Sequence, residues 1–148
     1  MTTEENKAVV RRAYLDGMNT RTLSIIDEVF APDYVVHYPG MEPIQGRDEA
    51  KDAIAAFLDA FPDIVFTIED QVAEGNKVVT RWTAVGTHNG EFRGFPKKGT
   101  VIPPSGRKVN FRATDIYLII DGRIKEEWNT LENMELMHQL GVVSPPQL

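Results

Sequence analysis

The sequence predicts one α+β domain in which a curved, mostly antiparallel sheet wraps over N-terminal helices and leaves a pocket at its open end. Three observations carry this. Apolar residues recur at helical spacing as far as Phe61; the period changes from 3.6 to 2 at Ile64; and Asp121-Gly122 joins two alternating runs between Val109 and Thr130. Helices first and strands joined by short turns afterwards are the mark of an α+β chain. At 148 residues the whole chain, 1–148, reads as a single domain with one core and no internal repeat.

Thr2 with Glu5 forms a capping box that opens a helix, and Val10, Ala13, Tyr14, Gly17 and Met18 then recur on one face. A break at Asn19-Thr20 precedes a short helix from about Thr22 to Phe30, which Pro32 ends. Tyr34–Tyr38 reads as a short strand and PGMEPIQG as a loop. A third helix runs from Arg47 to Phe61 with Ala50, Ala53, Ile54, Phe57 and Phe61 inward, stopped by Pro62. Strands follow near 64–69 and at Lys77–His88, joined by a turn at Glu74-Gly75-Asn76. An irregular Gly/Pro/Lys segment holds one short strand near Glu91–Arg93. In the 109–130 hairpin Ile120 pairs with Arg123, Tyr117 with about Glu126, and Asp115 with about Trp128. A last helix, Leu131–Leu140, ends at Gly141, and the tail VVSPPQL does not continue it.

Charge and composition exclude several classes. A net charge of −6 without a basic face argues against nucleic acid, and no apolar run approaches the length of a membrane span. The absence of cysteine removes disulfides and thiolate chemistry, and the three histidines are too scattered for a metal motif, so no metal is expected. The polar start MTTEENK carries no apolar leader, so a cytoplasmic protein is expected.

Asp115 is the residue out of place. It interrupts an apolar run, where a charge either faces solvent, paired with Arg112 or Arg107, or lines a cavity that uses it. Asn129 reads as a cap for the last helix, a pocket residue, or both. His37 lies among tyrosines; His88 reads as a turn-stabilising residue and His138 as a surface one. Arg81 is placed to pair with Asp115 or Glu127 across the strands. Trp82, Trp128, Phe57 and Phe61 read as core, with some also touching ligand, and Tyr14 and Tyr117 as phenols that hold a ligand oxygen. With no phosphate cradle in view, a neutral aromatic or polycyclic ligand is expected over a nucleotide, and Lys97-Lys98 as solvated.

The order of these elements resembles the nuclear-transport-factor-like, or cystatin-like, α+β cone, and more narrowly the SnoaL-like polyketide cyclases. The resemblance is carried by VVTRWTAVGTHNGEFRG (78–94), PPSGRKV (103–109), DGRIKEEW (121–128) and HQLG (138–141), which together span most of the chain in order. It implies a homodimer and a cofactor-free ring closure by intramolecular aldol chemistry, with one aspartate of the final strand as acid/base. That aspartate falls on Asn129 here, and the family's pocket histidine falls on Asp115. Two helix positions that are polar in some cyclases fall on Met18 and Ala53, and a histidine at His37 often faces the cavity. The catalytic candidates are therefore Asp115, Asn129 and His37. The ligand-binding candidates are Tyr14, Met18, Ala53, Phe57, Arg81, Trp82, Tyr117 and Glu127. An amide cannot serve as a general base. Three readings stay open: a cyclase-like enzyme, a non-catalytic binder of hydrophobic molecules, and a hydratase, dehydratase or isomerase on the same cone.

Overall fold

The computed structural model describes residues 1–143. Helix α1 (Thr3–Arg12) starts as expected, with the Glu5 amide donating to Thr2 Oγ1 at 3.0 Å, and runs into a π-helical turn over Ala13–Met18. Helices α2 (Ser24–Val29) and α3 (Arg47–Ala60) complete the N-terminal layer. Strand β1 (Phe30–His37) begins directly at the end of α2 and is followed by a two-residue β2 (Ile44–Gln45). Pro32 therefore lies inside a strand rather than in a helix stop. Its missing N–H is tolerated where the pairing of β1 is interrupted between Phe30 and Val35.

The long strands are β3 (Val65–Glu74), β4 (Lys77–Thr87), β7 (Lys108–Ile120) and β8 (Arg123–Trp128). With β1 and β2 they form one sheet in the order β2-β1-β8-β7-β4-β3, antiparallel except for β1 beside β8. A small ribbon of β5 (Phe92–Arg93) and β6 (Val101–Ile102) stands apart. Helix α4 (Asn133–Leu140) packs on β7 and ends at Gly141, whose φ of +77° makes the expected left-handed cap. Of the tail VVSPPQL, residues 144–148 lie outside the described residues. Among the described residues no helix is long and apolar enough to cross a membrane.

Alternation along β7 sets the two faces of the sheet. Val109, Phe111, Ala113, Asp115, Tyr117 and Ile119 are buried against the helices, while Ile116 and Ile120 are 38% and 40% exposed on the other face. The hairpin turns as read, with positive φ at both Asp121 and Gly122, and Ile120 pairs with Arg123. The register then departs from expectation. A bulge at Lys125 shifts it by one, so that Tyr117 pairs with Glu127 and Ile116 with Trp128. The bulge inverts the parity of β8. Ile124 and Glu127, three residues apart, both turn inward, while Glu126 and Trp128 are only half-buried on the outer side. Trp128, expected in the core, is there instead.

Glycine is required where the loop after β4 crosses the end of α3. A Cβ on Gly90 would fall 2.0 Å from the carbonyl oxygen of Asp59, and the Gly90 amide donates to Ala60 at 3.1 Å.

Candidate active site

The helices and the inner face of the sheet enclose a cavity of about 970 Å³. Its walls are mainly apolar. Met18 comes from the π turn, Ala53, Ile54 and Phe57 from α3, and Phe66 and Trp82 from β3 and β4. The π turn inserts an extra residue between Ala13 and Met18 and helps present Tyr14 and Met18 to this space together. Phe66 and Trp82 meet edge to face at 5.4 Å, and Tyr14 leans on both at 5.5 and 5.9 Å, so the wall is a packed aromatic surface.

The polar groups converge on the floor. The chain has four tyrosines, and all four (Tyr14, Tyr34, Tyr38 and Tyr117) line the cavity around Glu127. Tyr34 donates to Glu127 Oε1 at 2.5 Å, and the Tyr14 and Tyr117 hydroxyls hydrogen-bond each other. Tyr38 has no hydrogen-bond partner among the described residues, which leaves its hydroxyl for a ligand. Burial first, and then the nearby carboxyl charges, hold all four phenols protonated by raising their pKa values.

Asp115 lies one layer beneath this floor. The sequence left it either facing solvent or lining the cavity; it is completely buried, because its partners close over it. Its Oδ2 accepts from Trp82 Nε1 at 2.9 Å, Asn129 Nδ2 at 3.1 Å and the Tyr117 hydroxyl at 3.3 Å. Its Oδ1 accepts from the Thr130 amide at 3.0 Å. Burial raises its pKa, and the hydrogen bonds from Trp82, the Thr130 amide, Glu127 and Tyr117 offset that rise only in part. Glu127 is 6% exposed and does face the cavity. Burial, and next the Asp115 charge, drive its pKa well above the usual carboxylate range, against the Tyr34 hydrogen bond. Burial thus pushes both carboxyls toward the neutral form, and Glu127 lacks the ring of donors that surrounds Asp115.

Asn129 lines the cavity and holds Asp115 with its amide N–H, while its Oδ1 accepts from the Leu131 amide at 2.7 Å. It shapes the turn into α4 rather than capping that helix, which begins at Asn133. Two candidates fall away from this site. His37 points to the outer face, where its Nε2 lies 2.6 Å from Glu126 and its ring stacks on Trp128 at 5.7 Å. Its neighbours Tyr34, Val36 and Tyr38 take the inward parity of β1. Arg81 also faces outward, paired with Asp70 at 2.8 Å rather than with Asp115 or Glu127. His88 is buried, and its Nδ1 accepts from the Ser105 amide at 3.2 Å, fastening the loop before β7. Arg93, Lys97 and Lys98 border the cavity and are exposed to solvent, as expected of Lys97-Lys98.

Sequence reading missed Tyr34 and Tyr38 as site residues and named Glu127 as a ligand-binding rather than a catalytic candidate. The first two carried a signal: with Val36 in the core, period 2 puts residues 34 and 38 on the same face. Glu127 carried none, since its inward turn depends on the bulge. Among the described residues no group of histidine and carboxylate side chains is arranged to hold a metal.

A half-open α+β cone with an aromatic cavity and a carboxyl pair at its base defines the class: a small-molecule pocket protein built on a curved sheet. Residues 8–140 match the SnoaL-like polyketide cyclase family, and the chain belongs to it. Similar solved structures include AclR from Streptomyces galilaeus, described as a candidate hydroxylase. That likeness is 25% identity over 99% of this chain and 87% of that chain, with a TM-score of 0.80. TsrD from Streptomyces laurentii is 27% identical over 97% of this chain and 99% of its own, with a TM-score of 0.78. IdmH from Streptomyces antibioticus, a candidate polyketide cyclase, is 30% identical over 92% of this chain and 98% of its own, at 0.73. No curated protein matches the chain.

Proposed function

We propose that this protein is a cyclase-like enzyme that moves protons on a hydrophobic, carbonyl-bearing small molecule and closes a ring by intramolecular aldol addition. The observation that carries the reading is the Glu127 carboxyl facing the cavity beside Asp115, among four phenols, with burial and the Asp115 charge raising its pKa; in this reading the pair shares one proton, held on Glu127. The pair acts as one base. Glu127 gives its proton to Asp115 as it takes the substrate α-proton, the carbon becomes an enolate, and its oxygen takes a hydrogen bond from the free Tyr38 hydroxyl. The enolate carbon then attacks a second carbonyl of the same molecule, and the resulting alkoxide takes the proton back. Atoms balance, and only a proton is lent and returned. Asn129, at the position of the family's acid/base aspartate, serves as a donor that keeps Asp115 ionised. IdmH, 30% identical to this chain, is itself a candidate polyketide cyclase, which supports the same direction.

The test is hydrogen–deuterium exchange at the α-carbon of 2-tetralone, a generic hydrophobic ketone, followed by NMR. The protein should accelerate exchange, and Glu127→Gln and Asp115→Asn should each slow it about 10²-fold. Exchange no faster with wild type than with Glu127→Gln would leave a binding protein without this catalysis. The reading also includes a cytoplasmic homodimer joined through the outer sheet face, where Ile116 and Ile120 are exposed and Leu118 is half-buried.

A further inference from the structure

We infer that the ligand is a hydrophobic carboxylate, bound with its carbonyl-bearing body on the floor and its carboxylate at the mouth against Arg93, Lys97 and Lys98. The inference rests on the cavity being a ligand site, as proposed above. Charge distribution sets the orientation. The floor is occupied by the Asp115–Glu127 carboxyl pair, and the basic residues of the cavity lining are Arg93, Lys97 and Lys98. A ligand anion can therefore settle only at the other end. There the three basic side chains come from one loop, exposed on the cavity wall, and none makes an ion pair among the described residues. Lys51, Arg81 and Lys125 elsewhere on the surface do. The lining also includes Glu42, Glu49 and Asp52, which repel an anion, so the three basic side chains are the part of the wall that attracts one.

The loop offers charge rather than a phosphate cradle. Its Gly94 amide donates to Thr100 at 2.7 Å and its Thr100 amide to Lys97 at 3.1 Å, so these N–H groups are spent within the loop. Free lysine and arginine side chains over an apolar cavity suit a carboxylate on a hydrophobic body.

The test compares anthraquinone-2-carboxylate with uncharged 2-methylanthraquinone, read by quenching of the fluorescence of Trp82 in the cavity wall. Three cations near a partly exposed anion should make the carboxylate bind about tenfold tighter in wild type. That ratio should fall to about one in the Arg93→Gln/Lys97→Gln/Lys98→Gln variant, and should shrink as salt is raised. Equal affinities in wild type, or a preference that survives in the triple variant, would overturn the inference while the cavity reading stands. Failure of the neutral probe to bind would remove that reading and this inference with it. Inorganic phosphate at millimolar concentration should leave the carboxylate in place; displacement by phosphate would overturn the assignment to a carboxylate.

Discussion

Replacing Glu127 with glutamine removes a titration while keeping nearly the same shape. Glu127 is 6% exposed, and burial with the Asp115 charge raises its pKa well above 4.5. The native state therefore binds a proton that the unfolded chain gives up once the pH exceeds 4.5, so the unfolded state binds fewer protons and stability falls as pH rises. The stabilisation of the neutral acid is complete below the unfolded pKa and is lost on the way up to the folded one. In that window the slope from this one group approaches ~1.4 kcal/mol per pH unit. Glutamine has no such slope, and its carbonyl can still accept from Tyr34. Urea denaturation of both proteins in parallel from pH 5 upward (about half a unit above the unfolded value) should therefore give a stability difference that grows in favour of Glu127→Gln. Because Asp115 and Glu127 titrate as a pair, the difference between the two proteins reports the pair's shared proton. Parallel pH profiles would mean that Glu127 is ionised in the folded protein, and the proposed proton sharing would fall.

Trp82→Phe deletes the 2.9 Å donor to a buried carboxylate and should lower stability by about 1.5–3 kcal/mol, read as a reduced urea midpoint. Because His37 stands outside the cavity in a half-exposed contact, His37→Ala should cost under ~1 kcal/mol and leave 2-tetralone exchange unaltered. A loss of exchange there would restore it as a catalytic residue. Ile116→Lys with Ile120→Lys should convert the dimer to a monomer in light scattering; a wild type that is already monomeric would refute that interface.

Much of the fold could be read because its signals are local. The Asp121-Gly122 turn, the Thr2 cap and the αL Gly141 each depend on a few adjacent residues whose conformational preferences are strong. Asp115 was legible as a misfit in an apolar strand, and it is indeed wholly buried. What escaped depends on long-range pairing. The bulge at Lys125 has no residue signature, yet it decides which of Glu126 and Glu127 turns inward, and a strict alternation picks the wrong one. The parallel docking of β1 on β8 brings Tyr34 and Tyr38 over Glu127 from 90 residues away in the chain, a closure that no window along the sequence contains. The outward turn of Arg81 could have been read from the alternation of β4, but an arginine near two acidic candidates invites a pairing that parity forbids.

The central claim is that a protonated carboxyl faces the ligand in this cavity at neutral pH. Infrared spectroscopy observes that proton directly through the carbonyl stretch of an un-ionised carboxylic acid. Wild type at neutral pH should show this band; it should vanish in Glu127→Gln, persist in His37→Ala, and shift in frequency when 2-tetralone binds. A spectrum with only ionised carboxylates at neutral pH, or a band indifferent to Glu127→Gln, would contradict the account.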